Sequence, residues 1–255
     1  MLRPRIIPCL LIHKGGLVKT VQFGAPKYVG DPLNAVRIFN EKEVDELMVI
    51  DIDATRTGRA PDEDVIASLA AECRMPLAYG GGVKTVEQIE RLIGLGVEKV
   101  AISSAAVSNS DLIPKAAERV GSQSIVGVMD VKAGGLLRKS EVVTHNGTER
   151  TGLRPLEFAQ KLQQLGVGEI VVNSVDRDGM MQGYDMALVD SIRAATDVPL
   201  TILGGAGTLD DIGQLVARHP VIGAAAGSLF VFKGRFRAVL INYPDRETHN
   251  QLSGG

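Results

Sequence analysis

MPLAYGGGVKTVEQIERLI, residues 75–93, and VPLTILGGAGTLDDIGQLV, residues 198–216, decide the fold. Placing Pro76 on Pro199 gives an offset of 123 residues. The same offset pairs Gly81 and Gly82 with Gly204 and Gly205, Thr85 with Thr208, and Ile89 with Ile212. Each copy reads as a short apolar strand, a glycine turn, a capping Thr and an amphipathic helix. Such a unit turns backbone N–H groups towards an anion, a common way of holding phosphate. Two of them half a chain apart predict a duplicated fold with two phosphate sites.

Outward from these units, strand-like and helix-like runs alternate along the whole chain. Strands are expected at 5–12, 46–53, 76–80, 99–103, 124–130, 169–174, 199–203 and 221–226. Helices are expected at 32–40, 61–73, 85–94, 111–120, 154–165, 185–196, 208–217 and 234–242. Strands separated by helices run parallel, and eight of them closing on themselves make a (βα)8 TIM barrel. The open doubly wound alternative would carry one glycine fingerprint near the start, and none is there. The offset also pairs Asp31-Pro32-Leu33 with Arg154-Pro155-Leu156, which predicts one barrel domain over 1–255 built from half-barrels of about 1–122 and 123–245. Residues 14–31 form a long polar loop, of a length that is more often functional than structural. Residues 132–145 read as an inserted hairpin, and the last residues, 252–255, as a frayed tail.

Composition narrows the function classes. A chain of 255 residues with 45% hydrophobic content can bury a full core. A net charge of −2 gives no reason to expect nucleic acid or an anionic membrane as partner. Aromatic residues are only 4% and Trp is absent, which argues against base-stacking platforms. No apolar run reaches the roughly 18 residues a membrane span needs. The basic, apolar start reads as a first strand rather than a leader, since the apolar stretch is short. Two distant cysteines, Cys9 and Cys73, fit a reducing cytoplasm.

In a barrel of this kind ligands bind at the C-terminal strand ends. The candidates there are Asp51 and Asp53, Gly81 and Gly82, Ser103 and Ser104, Asp130 and Lys132, Ser174, Asp176 and Asp178, Gly204 and Gly205, and Ser228. Asp130 ends an apolar run that offers it nothing to cap, so general acid/base work suits it. Asp51, Asp53 and Asp178 are equally readable as helix or loop caps. At the opposite strand ends stand Arg5, Glu46, Lys99 and Glu169. By default these make a solvated rim or a stabilising ion-pair ring, and the other reading is a gate on the barrel axis. His13 is a lone loop histidine with no carboxylate at a paired spacing. No Cys/His cluster has metal-ligand spacing, so neither metal nor cofactor is expected.

Residues 5–10 (RIIPCL), 79–82 (YGGG), 144–147 (THNG), 175–185 (VDRDGMMQGYD) and 204–207 (GGAG) resemble the HisF family. HisF is the cyclase subunit of imidazole glycerol phosphate synthase, and the resemblance runs nearly end to end. It implies a HisH-like glutaminase docked at the barrel bottom, with Arg5, Glu46, Lys99 and Glu169 as the ammonia gate. It further implies phosphate contacts from Gly81, Gly82, Ser104, Gly204, Gly205 and Ser228, with Lys19 on a mobile first loop. Asp130 would be one of two catalytic carboxylates. The other is missing: where the family reads Pro-Cys-Leu-Asp, this chain has Leu11. Leu203 replaces a Ser or Thr, and Ser103 an Asn. The ammonia-entry end therefore matches the family while the substrate end departs from it.

Three functions compete. The chain is a paralogue that passes ammonia to a third enzyme, a synthase that turns an acetamido group of a surface sugar into an acetamidino group. Otherwise it is a working cyclase of histidine biosynthesis with another group replacing the missing carboxylate. The third is a phosphosugar barrel, such as an isomerase, which would have no use for a gate. Leu11 favours the first.

Overall fold

The computed structural model describes residues 3–135 and 139–252. Eight parallel strands form the barrel among these residues: β1 (Arg5–His13), β2 (Leu47–Asp51), β3 (Leu77–Gly80), β4 (Lys99–Ile102), β5 (Ile125–Lys132), β6 (Glu169–Ser174), β7 (Leu200–Leu203) and β8 (Gly223–Ala226). Each pairs in parallel with the next, and β8 returns to β1 through Arg5↔Gly223 and Ile7↔Ala225. The chain is thus a closed (βα)8 barrel, as the alternation predicts.

Period-2 geometry divides each strand between bore and helix layer. Ile7, Cys9, Met48, Ala78, Ala101, Val126, Val171 and Ala225 pack on one another inside the barrel, with Leu11, Ile50, Val128 and Leu203 beside them. Residues of opposite parity, such as Ile6, Leu10, Leu47 and Ile170, join the larger core under the helices. The helices start where their caps dictate. Asp31, Asp62 and Asp185 accept from backbone amides at the first turns of Pro32–Glu41, Glu63–Glu72 and Met186–Ala195. Thr85 and Thr208 each close a capping box, with Gln88 and Asp211 respectively. The two units that share the 123-residue offset therefore start their helices by one device.

The structure departs from the sequence reading in three places. Residues 234–242 do not form a helix. Positive φ at Gly234 (72°) and Arg237 (50°) folds Phe232–Lys233 onto Ala238–Val239 as a small hairpin, which a helix cannot accommodate. Short helices at Ser228–Val231 and Arg246–Leu252 flank it. The 14–31 loop carries two strands, Gly16–Lys19 and Lys27–Gly30, that extend the sheet antiparallel from β1. β5 runs on to Lys132 and pairs antiparallel with Glu141–Thr144, as expected of an inserted hairpin. Residues 136–138 of that stretch and 253–255 of the expected tail lie outside the described residues. Leu252, expected to fray, instead closes a helix and packs against the core.

Candidate functional site

The bottom of the barrel holds a compact charge cluster. Arg5, Glu46, Lys99 and Glu169 stand at or beside the N-terminal ends of β1, β2, β4 and β6, with the parity that faces the bore. Lys99 Nζ lies 2.7 Å from Glu46 Oε2 and 2.9 Å from Glu169 Oε2. Arg5 Nη2 donates to Glu169 Oε1 at 2.7 Å, and its other amino group contacts Glu46. Both carboxylates are buried. Burial alone would raise the Glu169 carboxyl, but Arg5 and Lys99 outweigh it and hold it below the usual range. Burial likewise works against the Arg5 guanidinium, and Glu169 and Glu46 reverse that, so it is held above its ordinary value. A fifth residue completes the cluster. Thr201, fully buried on β7, donates its hydroxyl to Glu169 Oε1 and accepts from Arg5 Nη2 at 3.3 Å.

At the other end a cavity of about 370 Å³ opens at the C-terminal strand ends. Asp51, Gly81, Gly82, Ser103, Ser104 and Asp130 all line it. Its floor is the top of the apolar bore, through Cys9, Met48, Ala101 and Val171, with Leu11, Ile50, Val128 and Leu203 around them. Burial pushes the Asp130 carboxyl up to about 6, with the Asp178 carboxylate adding to the rise and hydrogen bonds from Asn173 and Ser103 resisting it. Asn173 Nδ2 donates to Asp130 Oδ1 at 2.8 Å, while Asn173 Oδ1, also buried, has no partner among the described residues. Asp51 is committed elsewhere. It accepts from the amides of Asp53 (2.9 Å) and Ala54 (3.1 Å) and from Arg59 Nη2 (2.8 Å).

The remaining candidates fall outside this cavity. Gly204, Gly205 and Ser228 gather at the ends of β7 and β8, and both glycines have positive φ (90° and 117°). A side chain on Gly205 would strike the Gly183 carbonyl at 2.2 Å. Lys19 is buried and donates to the Cys9 carbonyl, and burial lowers the pKa of its ammonium. Asp176 accepts from the Ala133 amide at 2.6 Å, and Asp178 from Thr20 Oγ1 at 2.9 Å.

Two features escape a reading of residue spacing. His13 is not alone: its Nδ1 lies 2.8 Å from Asp53 Oδ1, because adjacent parallel strands bring together residues 40 positions apart. Thr201 and Asn173 were also missed, although period 2 points to both. Thr201 shares parity with Leu203, and Asn173 with Glu169 and Val171. Among the described residues no group of three or more His, Cys, Asp or Glu side chains could hold a metal, and no helix is long and apolar enough to cross a membrane.

The fold and this site define a class: a (βα)8 barrel with an apolar bore, a charged cluster at one end and paired glycine turns at the other. The chain belongs to the family described as "Histidine biosynthesis protein", which matches residues 5–237, and within it the chain is HisF-like. It is 57% identical over 96% of its length to the "Putative imidazole glycerol phosphate synthase subunit hisF3" of Vibrio vulnificus, covering 94% of that protein. It is 53% identical over 96% of its length to the "Putative imidazole glycerol phosphate synthase subunit hisF2" of Pseudomonas aeruginosa, covering 97% of that one. Identity to the "Imidazole glycerol phosphate synthase subunit HisF" of Limosilactobacillus fermentum is 41%, over 91% of this chain and 89% of that protein.

Proposed function

We propose that this chain is the barrel subunit of a glutamine-dependent amidotransferase of the imidazole glycerol phosphate synthase type. A HisH-like glutaminase docks over Arg5, Glu46, Lys99 and Glu169 at the barrel bottom. Ammonia passes that plug and travels up the bore to a third protein, a sugar-amidinating synthase of surface-polysaccharide assembly in the cytoplasm. Two features support the conduit. Among the described residues Lys99 is held by two carboxylates alone, so its withdrawal opens the plug while Arg5 stays anchored by Glu46, Glu169 and Thr201. Above it, small and apolar side chains such as Ala78, Ala101 and Ala225 suit neutral ammonia, because a desolvated ammonium ion would be costly there.

One observation carries the claim that ammonia is handed on: Leu11 lines the cavity where the family has its second catalytic carboxylate. Ring closure needs a general acid and a general base. Losing one typically costs on the order of 100- to 10,000-fold. Asp51 cannot substitute while Arg59 and two amides hold it. The greater identity to the relatives named hisF3 and hisF2 than to the fermentum subunit supports a separate line of paralogues. In this reading Asp130, Lys19, Asp51, Ser103, Asp176 and the two glycine turns are remnants of the family's substrate site.

A second reading, an active cyclase of histidine biosynthesis, has one observation in its favour: Asp130 is present with its carboxyl raised to about 6, suited to proton transfer near neutral pH. The two readings part on glutamine-driven transfer of label. With the glutaminase and synthase present, [15N-amide]glutamine should label the sugar amidine in a large excess of unlabelled ammonium. Dilution of the label to the bulk ratio, or label in imidazole glycerol phosphate instead, would sink the conduit.

A further inference from the structure

After β8 this chain makes a hairpin where a barrel ordinarily places a full helix. Phe232 and Lys233 pair with Val239 and Ala238, so Arg235, Phe236 and Arg237 stand at the turn. Phe236 is 87% exposed, and the Arg235 guanidinium lies 5.5 Å from the centre of its ring.

The hairpin is joined to the first loop. Lys27 Nζ and the Arg237 guanidinium both lie against the Phe232 ring, 5.1 and 5.3 Å from its centre. Arg237 Nη2 also donates to the Gly179 carbonyl at 2.6 Å. Gly179 in turn packs on the loop, since a Cβ there would lie 3.0 Å from the Val21 Cα. Hairpin and loop together carry Val21, Tyr28, Phe236, Val239 and Leu240, five of the eight large apolar side chains exposed among the described residues.

The charge of this surface is one-sided. Apart from the buried Lys19, residues 14–30 and 232–243 contain Lys14, Lys27, Lys233, Arg235 and Arg237 and no Asp or Glu, in a chain of net charge −2. Exposed aromatic and arginine side chains on an apolar patch suit a protein partner. The ring buries area at little entropic cost, and the guanidinium pairs with carboxylates through two parallel hydrogen bonds. An anionic bilayer is the weaker fit, because a flat surface meets the field of the whole chain and a shaped partner meets the patch alone.

Position points to the partner. The first loop gives Thr20 and Phe23 to the wall of the mouth cavity, and Val21 and Tyr28 to the outer surface. A protein seated on the patch therefore covers the rim above the bore and keeps neutral ammonia from bulk water. We propose that the hairpin and first loop dock the ammonia-accepting synthase, through an acidic surface whose apolar pocket takes the Phe236 ring. Lys233 and Arg235 pair with the carboxylates around that pocket. The proposal rests on the conduit reading, and its test separates the two.

Affinity of the purified synthase for the barrel–glutaminase complex, measured by biolayer interferometry without glutamine, reads the dock alone. Arg235→Glu combined with Phe236→Ser should weaken it at least about tenfold, and Phe236→Tyr alone should keep most of it. Added salt should weaken the parent and leave the double variant nearly unmoved. Both side chains are exposed, so melting temperature and glutaminase affinity should not change. A double variant that binds the synthase as tightly as the parent would overturn the dock and leave the conduit standing. Synthase that binds through the patch while glutamine label is diluted to the bulk ratio would keep the dock and sink the conduit. A parent that binds no synthase would also overturn the dock. Patch-dependent sedimentation with phosphatidylglycerol–phosphatidylcholine vesicles would then assign the surface to a membrane, and patch-dependent dimers in sedimentation velocity to a second copy.

Discussion

Asn173 Nδ2 donates to Asp130 Oδ1 across 2.8 Å, joining the ends of β5 and β6 at the top of the bore. That hydrogen bond favours the charged carboxylate, yet burial prevails and the Asp130 carboxyl stands near 6 instead of 3.8.

The sign of the resulting pH dependence follows. Between about pH 4 and pH 6 the folded chain holds a proton on Asp130 that the unfolded chain has lost, so stability falls as pH rises through this window. The loss is at most about 3 kcal/mol, and less to the extent that cavity water screens the group. Asp130→Asn removes it. Urea denaturation should show the variant more stable than the parent at pH 7, with the advantage gone near pH 4. An advantage that does not change with pH would mean that Asp130 titrates normally.

The charge cluster has the opposite sign. Glu169 is held below the usual carboxylate range, so its contribution is full above the unfolded carboxyl pKa and is lost as pH falls through the folded one. Glu169→Ala leaves Arg5 and Lys99 partly buried with half their partners. It should cost about 3 kcal/mol or more at pH 7, and progressively less in acid. A loss that persists unchanged at low pH would place the cost in packing rather than charge.

Thr201→Val conserves shape but deletes the hydroxyl shared by Glu169 and Arg5. The expected cost is about 1–3 kcal/mol for a buried carboxylate oxygen short of a donor. Gly223→Ala should be worse, because a Cβ there would lie 1.8 Å from Thr201 Oγ1. Relief of the Gly223→Ala penalty in the Thr201→Ser, Gly223→Ala double variant would not be expected, since Ser keeps the oxygen. Relief by Thr201→Ala would. Thermal melts of the four proteins decide it.

Leu11→Asp restores a carboxylate at the mouth and should raise ammonium-driven cyclase turnover, measured by loss of substrate absorbance. Leu203→Ser should add to it. Neither should alter glutaminase docking, since both positions lie at the end of the bore opposite Arg5 and Glu46. A double variant as inactive as the parent would show that position 11 is not what separates this chain from a cyclase.

Much of this molecule was legible in its sequence because strand and helix periods are local. The eight barrel strands and their inward parity follow from alternation, and the paired Thr caps from single residues. The eighth helix was misread because the apolar spacing of 234–242 suits a helix, while Gly234 and Arg237 turn the chain at positive φ. The four charged residues of the barrel bottom could be named from position, but Thr201 looked like any strand threonine until β6 and β7 lay side by side. His13 and Asp53 meet only through the pairing of β1 with β2.

Cyclase turnover of the purified chain, with the histidine-pathway substrate and saturating ammonium, tests the central claim most directly. The Asp130→Asn variant sets the background. A chain that hands ammonia on gives no turnover above that variant. Turnover at an ordinary enzymatic rate that Asp130→Asn abolishes would contradict it, and would make this barrel a cyclase that works without a carboxylate at position 11.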